Sequence, residues 1–188
     1  MSDAVEIRGL DRFIVDIEDS PDKLERSVLL RARKLAEQVA GQARQGAPVE
    51  DGRLRNSLQS FTEERNGEIV GGVRTSYDVA IFHELGTGPV GSAHPHPAEA
   101  QLHPKRRPNG WWYFDDAAVG QPLPDTIQHG KRKGKPRTPP GQVSNGLIYT
   151  EGVPAKAFMY NALKASEDEI MESLGGALEA AMNAEDGK

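Results

Sequence analysis

Few residues in this 188-residue chain have types and spacing suited to chemistry. The nearest to an acid–base pair is His83-Glu84, inside the stretch Tyr77-Asp-Val-Ala-Ile-Phe-His-Glu-Leu-Gly-Thr-Gly88. A catalytic pair needs a nucleophile, a second base or a metal-ligand set beside it, and none accompanies this one, so the pair reads as structural. His94 and His96 form a His-x-His step that can bind metal, with His103 further on. The interleaved Pro95 and Pro97 read instead as a fixed loop conformation. Asp115-Asp116 is a carboxylate pair, but neighbours on a strand point to opposite faces, which makes a poor dyad. There is no Gly-rich phosphate loop with a following Lys and no Gly-x-Ser-x-Gly elbow. No catalytic, cofactor-binding or metal-binding residue is assigned, and the expectation is a protein that is not an enzyme.

Aromatic residues beside cations offer a different chemistry. Trp111, Trp112, Tyr113 and Phe114 follow Lys105-Arg106-Arg107, and aromatic rings near cations can stack bases and hold phosphates. On a strand, Trp111 and Tyr113 point one way and Trp112 and Phe114 the other. One pair is then expected in the core and the other at a contact with a subunit or partner, where aromatics are enriched. Lys131, Arg132, Lys133, Lys135 and Arg137 form a basic loop that could meet a phosphate backbone.

The net charge of −5 argues against a general nucleic-acid binder, but the charge is unevenly placed. Both ends of the chain are acidic and the middle is basic, a distribution suited to electrostatic matching between subunits or with a partner. The absence of cysteine excludes disulfides and thiolate metal sites and allows a reducing compartment. No apolar run reaches the length of a membrane span, and the acidic start does not read as a signal peptide.

The elements that must position these residues follow from periodicity. Ser20-Pro21 is a helix start. Leu24, Val28, Ala32, Leu35, Val39 and Ala43 then recur at steps of four and three, which predicts an amphipathic helix over 21–44. Before it, Phe13-Ile-Val-Asp-Ile17 reads as a short strand or docked arm. After it, Asp51 is placed to cap a helical turn carrying Leu54 and Leu58 on one side. Asn66-Gly67 predicts a hairpin between strands 59–65 and 68–74, with Gly71-Gly72 weakening the return strand or marking a bulge. Tyr77, Ala80, Ile81 and Leu85 predict a short helix buried on that face. The block 111–114 should pair with 147–150 across a polar, Pro-rich loop at 120–146. A last helical stretch starts near Met159, with a fresh N-cap at Ser166 and Glu169 three residues on. Ile170, Leu174, Ala177, Leu178 and Ala181 lie on its apolar face.

These elements predict an α+β fold, in which a small, mostly antiparallel sheet packs against a long N-terminal helix and a C-terminal helix. The expected organisation is an N-terminal arm (1–20), a single domain (21–183) with the inserted loop at 120–146, and a frayed tail (184–188).

The order of motifs resembles the minor tail, or tail-completion (neck), proteins of long-tailed bacteriophages. The matching pieces are the amphipathic helix ending in Ala47-Pro-Val-Glu-Asp-Gly-Arg-Leu-Arg-Asn-Ser-Leu58, the hairpin, and the 77–88 stretch. The Trp111–Phe114 block follows, then Tyr149-Thr-Glu-Gly-Val-Pro-Ala-Lys-Ala-Phe-Met-Tyr-Asn-Ala-Leu163 and a C-terminal helix. The resemblance covers roughly residues 21–182. The 120–146 loop is longer than the family pattern and the arm is additional.

The resemblance implies a structural virion protein of the tail or neck that joins head-closure and tail-terminator rings. It implies self-association into a ring, commonly a hexamer, with a head-closure or connector protein and tail-terminator or tail-tube proteins as neighbours. Assembly would take place in the host cytoplasm, without cofactor or membrane. Contact with genome DNA through residues 131–137 is the alternative. The interface candidates are Trp111, Trp112, Tyr113, Phe114, Lys131, Arg132, Lys133, Lys135, Arg137, Phe158 and Tyr160.

Overall fold

The computed structural model describes residues 5–8, 11–16, 22–49, 52–123, 128, 133–135 and 143–185; at 5–8, 16, 22–25 and 181–185 the description covers the backbone alone. The fold is α+β with small antiparallel sheets, as the periodicities predict. The chain divides into two compact units, 1–85 with 155–188, and 86–154.

In the first unit, β1 (Val5–Arg8), β2 (Arg12–Asp16), β3 (Gln59–Arg65) and β4 (Glu68–Arg74) form an antiparallel sheet in the order β1-β2-β4-β3. The segment read as a strand or arm is therefore part of the main sheet, with β2 paired to β4. Asn66 and Gly67 both have positive φ, at 53° and 77°, which supplies the tight turn between β3 and β4. The ladder runs unbroken from Gln59↔Arg74 to Arg65↔Glu68, so Gly71 and Gly72 mark no bulge. Gly71 lies opposite Phe13, and a Cβ there would sit 2.5 Å from the Phe13 ring. The missing side chain is the space that the fully buried aromatic occupies.

Helix α1 (Asp22–Gly46) packs against β3 and β4 and against α6 (Phe158–Ala165) and α7 (Glu167–Glu185). Its buried stripe is Val28, Ala32, Leu35, Ala36, Val39, Ala40 and Ala43, with Ala47 just beyond. The small residues bring neighbouring backbones close; a Cβ on Gly46 would meet Phe158 at 3.4 Å. Phe13, Val15, Ile69 and Val73 come from the sheet, and Phe158, Leu163, Ile170, Leu174 and Leu178 from the last two helices. The Leu24 and Ala181 side chains lie outside the described residues.

Asp51 lies outside the described residues, and Gly52, with φ 79°, stands at the start of α2 (Arg53–Ser57). Leu54 and Leu58 are buried as expected. Ser166 and Glu169 are held from α1. Gln42 Oε1 accepts the Ser166 hydroxyl at 3.2 Å, and Gln38 donates to Glu169. Gln38 and Gln42 are one turn apart, so one face of α1 sets the start of α7.

The second unit holds the short helices α4 (Gly88–Ala93) and α5 (Glu99–Leu102) and the strands β5 (Trp111–Phe114) and β6 (Leu147–Thr150). The strands pair antiparallel, as predicted, from Trp111↔Thr150 to Phe114↔Leu147. The base of the 120–146 loop is zippered onto them: Gly120 N donates to Ser144 O and Ser144 N to Gln121 O, at 2.9 and 2.8 Å, and Pro122 bridges to Val143. Residues 151–153 bind Thr87 and the start of α4 through Thr87 N to Val153 O and Val90 N to Glu151 O, at 2.9 and 3.1 Å. Gly152 is required there. Its φ is +98°, and a Cβ would fall 1.9 Å from the Thr87 carbonyl oxygen. Among the described residues no helix is long and apolar enough to cross a membrane.

Candidate assembly surfaces

The β5–β6 ribbon displays its aromatics instead of burying them. Trp112 and Phe114 are each 60% exposed and Tyr113 is also exposed, while Trp111 is half-buried. The expectation of one core pair and one contact pair is corrected accordingly: a two-stranded ribbon has no layer thick enough to bury either face. The register puts Trp112 and Phe114 on one face with Tyr149 and Leu147. Trp112 meets Tyr149 edge-on with ring centroids 5.3 Å apart, which fixes its orientation at the surface. Leu147, Val119 and Val143 are exposed as well. This contiguous apolar edge is the kind of surface that marks a protein contact.

The cations near the ribbon are unequal. Arg106 is buried and forms a two-pronged pair with Glu99, its Nη2 lying 2.8 Å from Oε2, while its Nε donates to Gly86 O at 3.2 Å. It braces the second unit and is not presented as a phosphate contact. The Arg107 guanidinium lies over the Trp111 ring, 5.5 Å from its centroid. Lys133 and Lys135 are exposed; Lys131, Arg132 and Arg137 lie outside the described residues. Hydrogen bonds from Arg106 hold the Glu99 carboxyl below the ordinary carboxylate range, and the Arg106 charge adds to this.

A carboxylate with a lowered folded pKa contributes stability above its unfolded pKa, and that contribution is lost as pH falls through the folded value. Thermal midpoints of Glu99→Gln and the unsubstituted chain should therefore differ at neutral pH and converge in acid. A gap that ignores pH would rule out the ion pair as its source.

Phe158 and Tyr160 part company with the ribbon. Phe158 belongs to the core beside Gly46, and Tyr160 is half-buried. Phe158 therefore presents no ring to a neighbour in this fold. Of the histidines read as loop elements, one has a defined place. His96 is buried and its Nδ1 accepts from Ala98 N at 3.0 Å. Among the described residues no three His, Cys, Asp or Glu side chains gather to hold a metal.

Helix α3 (Val79–Leu85) carries the His83-Glu84 pair, and here the structure gives the carboxylate a definite task. Glu84 is only 3% exposed. Its two oxygens accept from Met159 N and Tyr160 N, both at 3.0 Å, in the first turn of α6. The residue before that helix, Ala157, has φ 49° and offers no side-chain oxygen as a cap. Glu84 supplies the cap from another element, and its charge also suits the helix N-terminus. Lys156 N to His83 O and Ala157 N to Glu84 O, at 2.7 and 3.2 Å, complete the join.

Burial of Glu84 turns the rest of α3 over. The expected inner face included Ile81, but the buried residues are Ala80 and Glu84, whereas Ile81 and Phe82 are 55% and 52% exposed. These two line an open cavity of about 720 Å³ in the first unit, together with Tyr77 and Met159. Asp11, Arg12 and Asp78 also line it, Asp11 being paired to Arg12 at 3.3 Å.

Comparison with known proteins bears on the first unit. Residues 11–86 match the family model described as "Bacteriophage HK97-gp10, putative tail-component". No curated protein and no solved structure matches the chain significantly. The matched stretch spans β2 through α3 and stops where the second unit begins. Residues 11–86 are thus similar to a phage tail component, in line with the resemblance carried by the order of the motifs.

Proposed function

We propose that the protein is a structural virion protein that completes the tail at the neck, between head-closure and tail-terminator rings. It acts through protein–protein contacts around a ring, with six copies as the expected number. The observation that carries this reading is the exposed apolar edge of the β5–β6 ribbon, on a chain whose 11–86 segment matches a tail component. The capping role of Glu84 also accounts for the one acid–base pair without chemistry.

Particles assembled without this chain should accumulate as filled heads and separate tails in electron micrographs, and supplying the chain should join them. Normal joined particles in its absence would overturn the neck role. Genome contact through the basic loop is the second reading, favoured by the exposure of Lys133 and Lys135. It requires duplex binding that weakens steeply with salt and is lost when the loop cations become Ala.

A further inference from the structure

The chain carries two apolar surfaces of opposite shape, one in each unit. The second unit offers the projecting edge of Trp112, Phe114 and Leu147. The first offers the open groove lined by Tyr77, Ile81, Phe82 and Met159. Their electrostatics are opposite as well. Residues 86–154 contain eight Lys and Arg against five Asp and Glu, for a net +3, which leaves −8 on the rest of a chain whose total is −5. The groove is lined by Asp11, Asp78 and Glu84 against Arg12, which pairs with Asp11, and Arg107 stacks at the ribbon on Trp111.

We propose that the groove of one copy receives the aromatic ribbon of a second copy, so that Trp112 and Phe114 seat against Ile81 and Phe82. The two surfaces differ, so the contact is head-to-tail. An open assembly always has one unused ribbon and one unused groove, and copies add until the rotation closes a ring. The charge difference between the units orients the approach and disfavours groove-to-groove or ribbon-to-ribbon encounters. Large aromatics already packed against a neighbour, as Trp112 is edge-on against Tyr149, are effective anchors because less freedom is lost on seating them. The proposal rests on the structural reading above and names the surfaces by which copies of the chain would meet.

The test uses the full chain and two charge substitutions, Trp112→Glu on the ribbon and Phe82→Glu in the groove. Both positions are exposed, so folding should survive, and circular dichroism with thermal melting checks that it does. Sedimentation velocity over a concentration series should show self-association of the unsubstituted chain, weakened about 100-fold by either substitution. The deciding measurement is the mixture. Trp112→Glu retains a groove and Phe82→Glu retains a ribbon, so together they should form a one-to-one dimer that grows no further.

An unsubstituted chain that stays monomeric at every soluble concentration overturns the proposal. So does self-association that survives both substitutions, or a mixture that yields no dimer. The particle experiment above reads the neck role separately, so joined heads and tails alongside any of these failures would remove this contact and leave that role standing.

Discussion

Replacing Glu84 by alanine should lower the stability of the first unit by about 3 kcal/mol, since each buried N–H left without an acceptor costs about 1–3 kcal/mol. The substitution strips the acceptors from Met159 N and Tyr160 N at the start of α6. The carboxylate they meet is itself only 3% exposed, at the wall of the open groove. The local chain offers no substitute, since Ala157 stands at the helix start in a left-handed conformation without a capping oxygen. Glu84→Gln keeps one acceptor oxygen and loses the charge at the helix N-terminus, so it should cost roughly half as much. Urea unfolding followed by far-ultraviolet circular dichroism checks both. An unchanged midpoint for Glu84→Ala would remove the capping role and return His83-Glu84 to consideration as a reactive pair.

The second large effect is a coupling. Phe13→Ala should cost about 3–5 kcal/mol, the range for deleting a fully buried aromatic ring. Gly71→Ala should cost about 1–3 kcal/mol on its own through overpacking, because its new methyl would sit 2.5 Å from the Phe13 ring tip, which the core holds in place. Once the ring is gone, the clash is gone. The same Gly71→Ala then fills part of the space and replaces a poor strand residue with a better one. The double variant should thus be more stable than the sum of the two single losses by about 2 kcal/mol. Additive losses would mean that the glycine serves some need other than the ring.

Long periodic segments were legible in the sequence. The helix predicted over 21–44 is Asp22–Gly46, and the hairpin at Asn66-Gly67 and the pairing of 111–114 with 147–150 are as expected. What the sequence hid were places where a side chain works against its usual class. Glu84 is charged and buried, so reading apolar residues as the inner face put Ile81 inside and concealed the groove. Trp112 and Phe114 are apolar and exposed, so alternation promised a core that a two-stranded ribbon cannot provide. Ser166 and Glu169 have the spacing of a capping box, yet their bonds go to Gln42 and Gln38, more than a hundred residues earlier. Local spacing cannot anticipate a partner brought in by tertiary packing. By sequence Arg106 joins Lys105 and Arg107 in a run that could hold phosphate, and only the placement of Glu99 assigns it a structural role.

The join between α3 and α6 has a consequence for how such a chain can diversify. The chain leaves the first unit after Leu85 and rejoins it at Ala155, and within that unit the flanking residues are stitched together, His83 to Lys156 and Glu84 to Ala157, Met159 and Tyr160. Two strands of chain already clamped side by side form a socket. Whatever is spliced between them adds little further closure cost as it lengthens. The family match ends at the lip of that socket, at residue 86. The spliced piece can therefore change in length or sequence without touching the hydrogen bonds that clamp the frame beside α1.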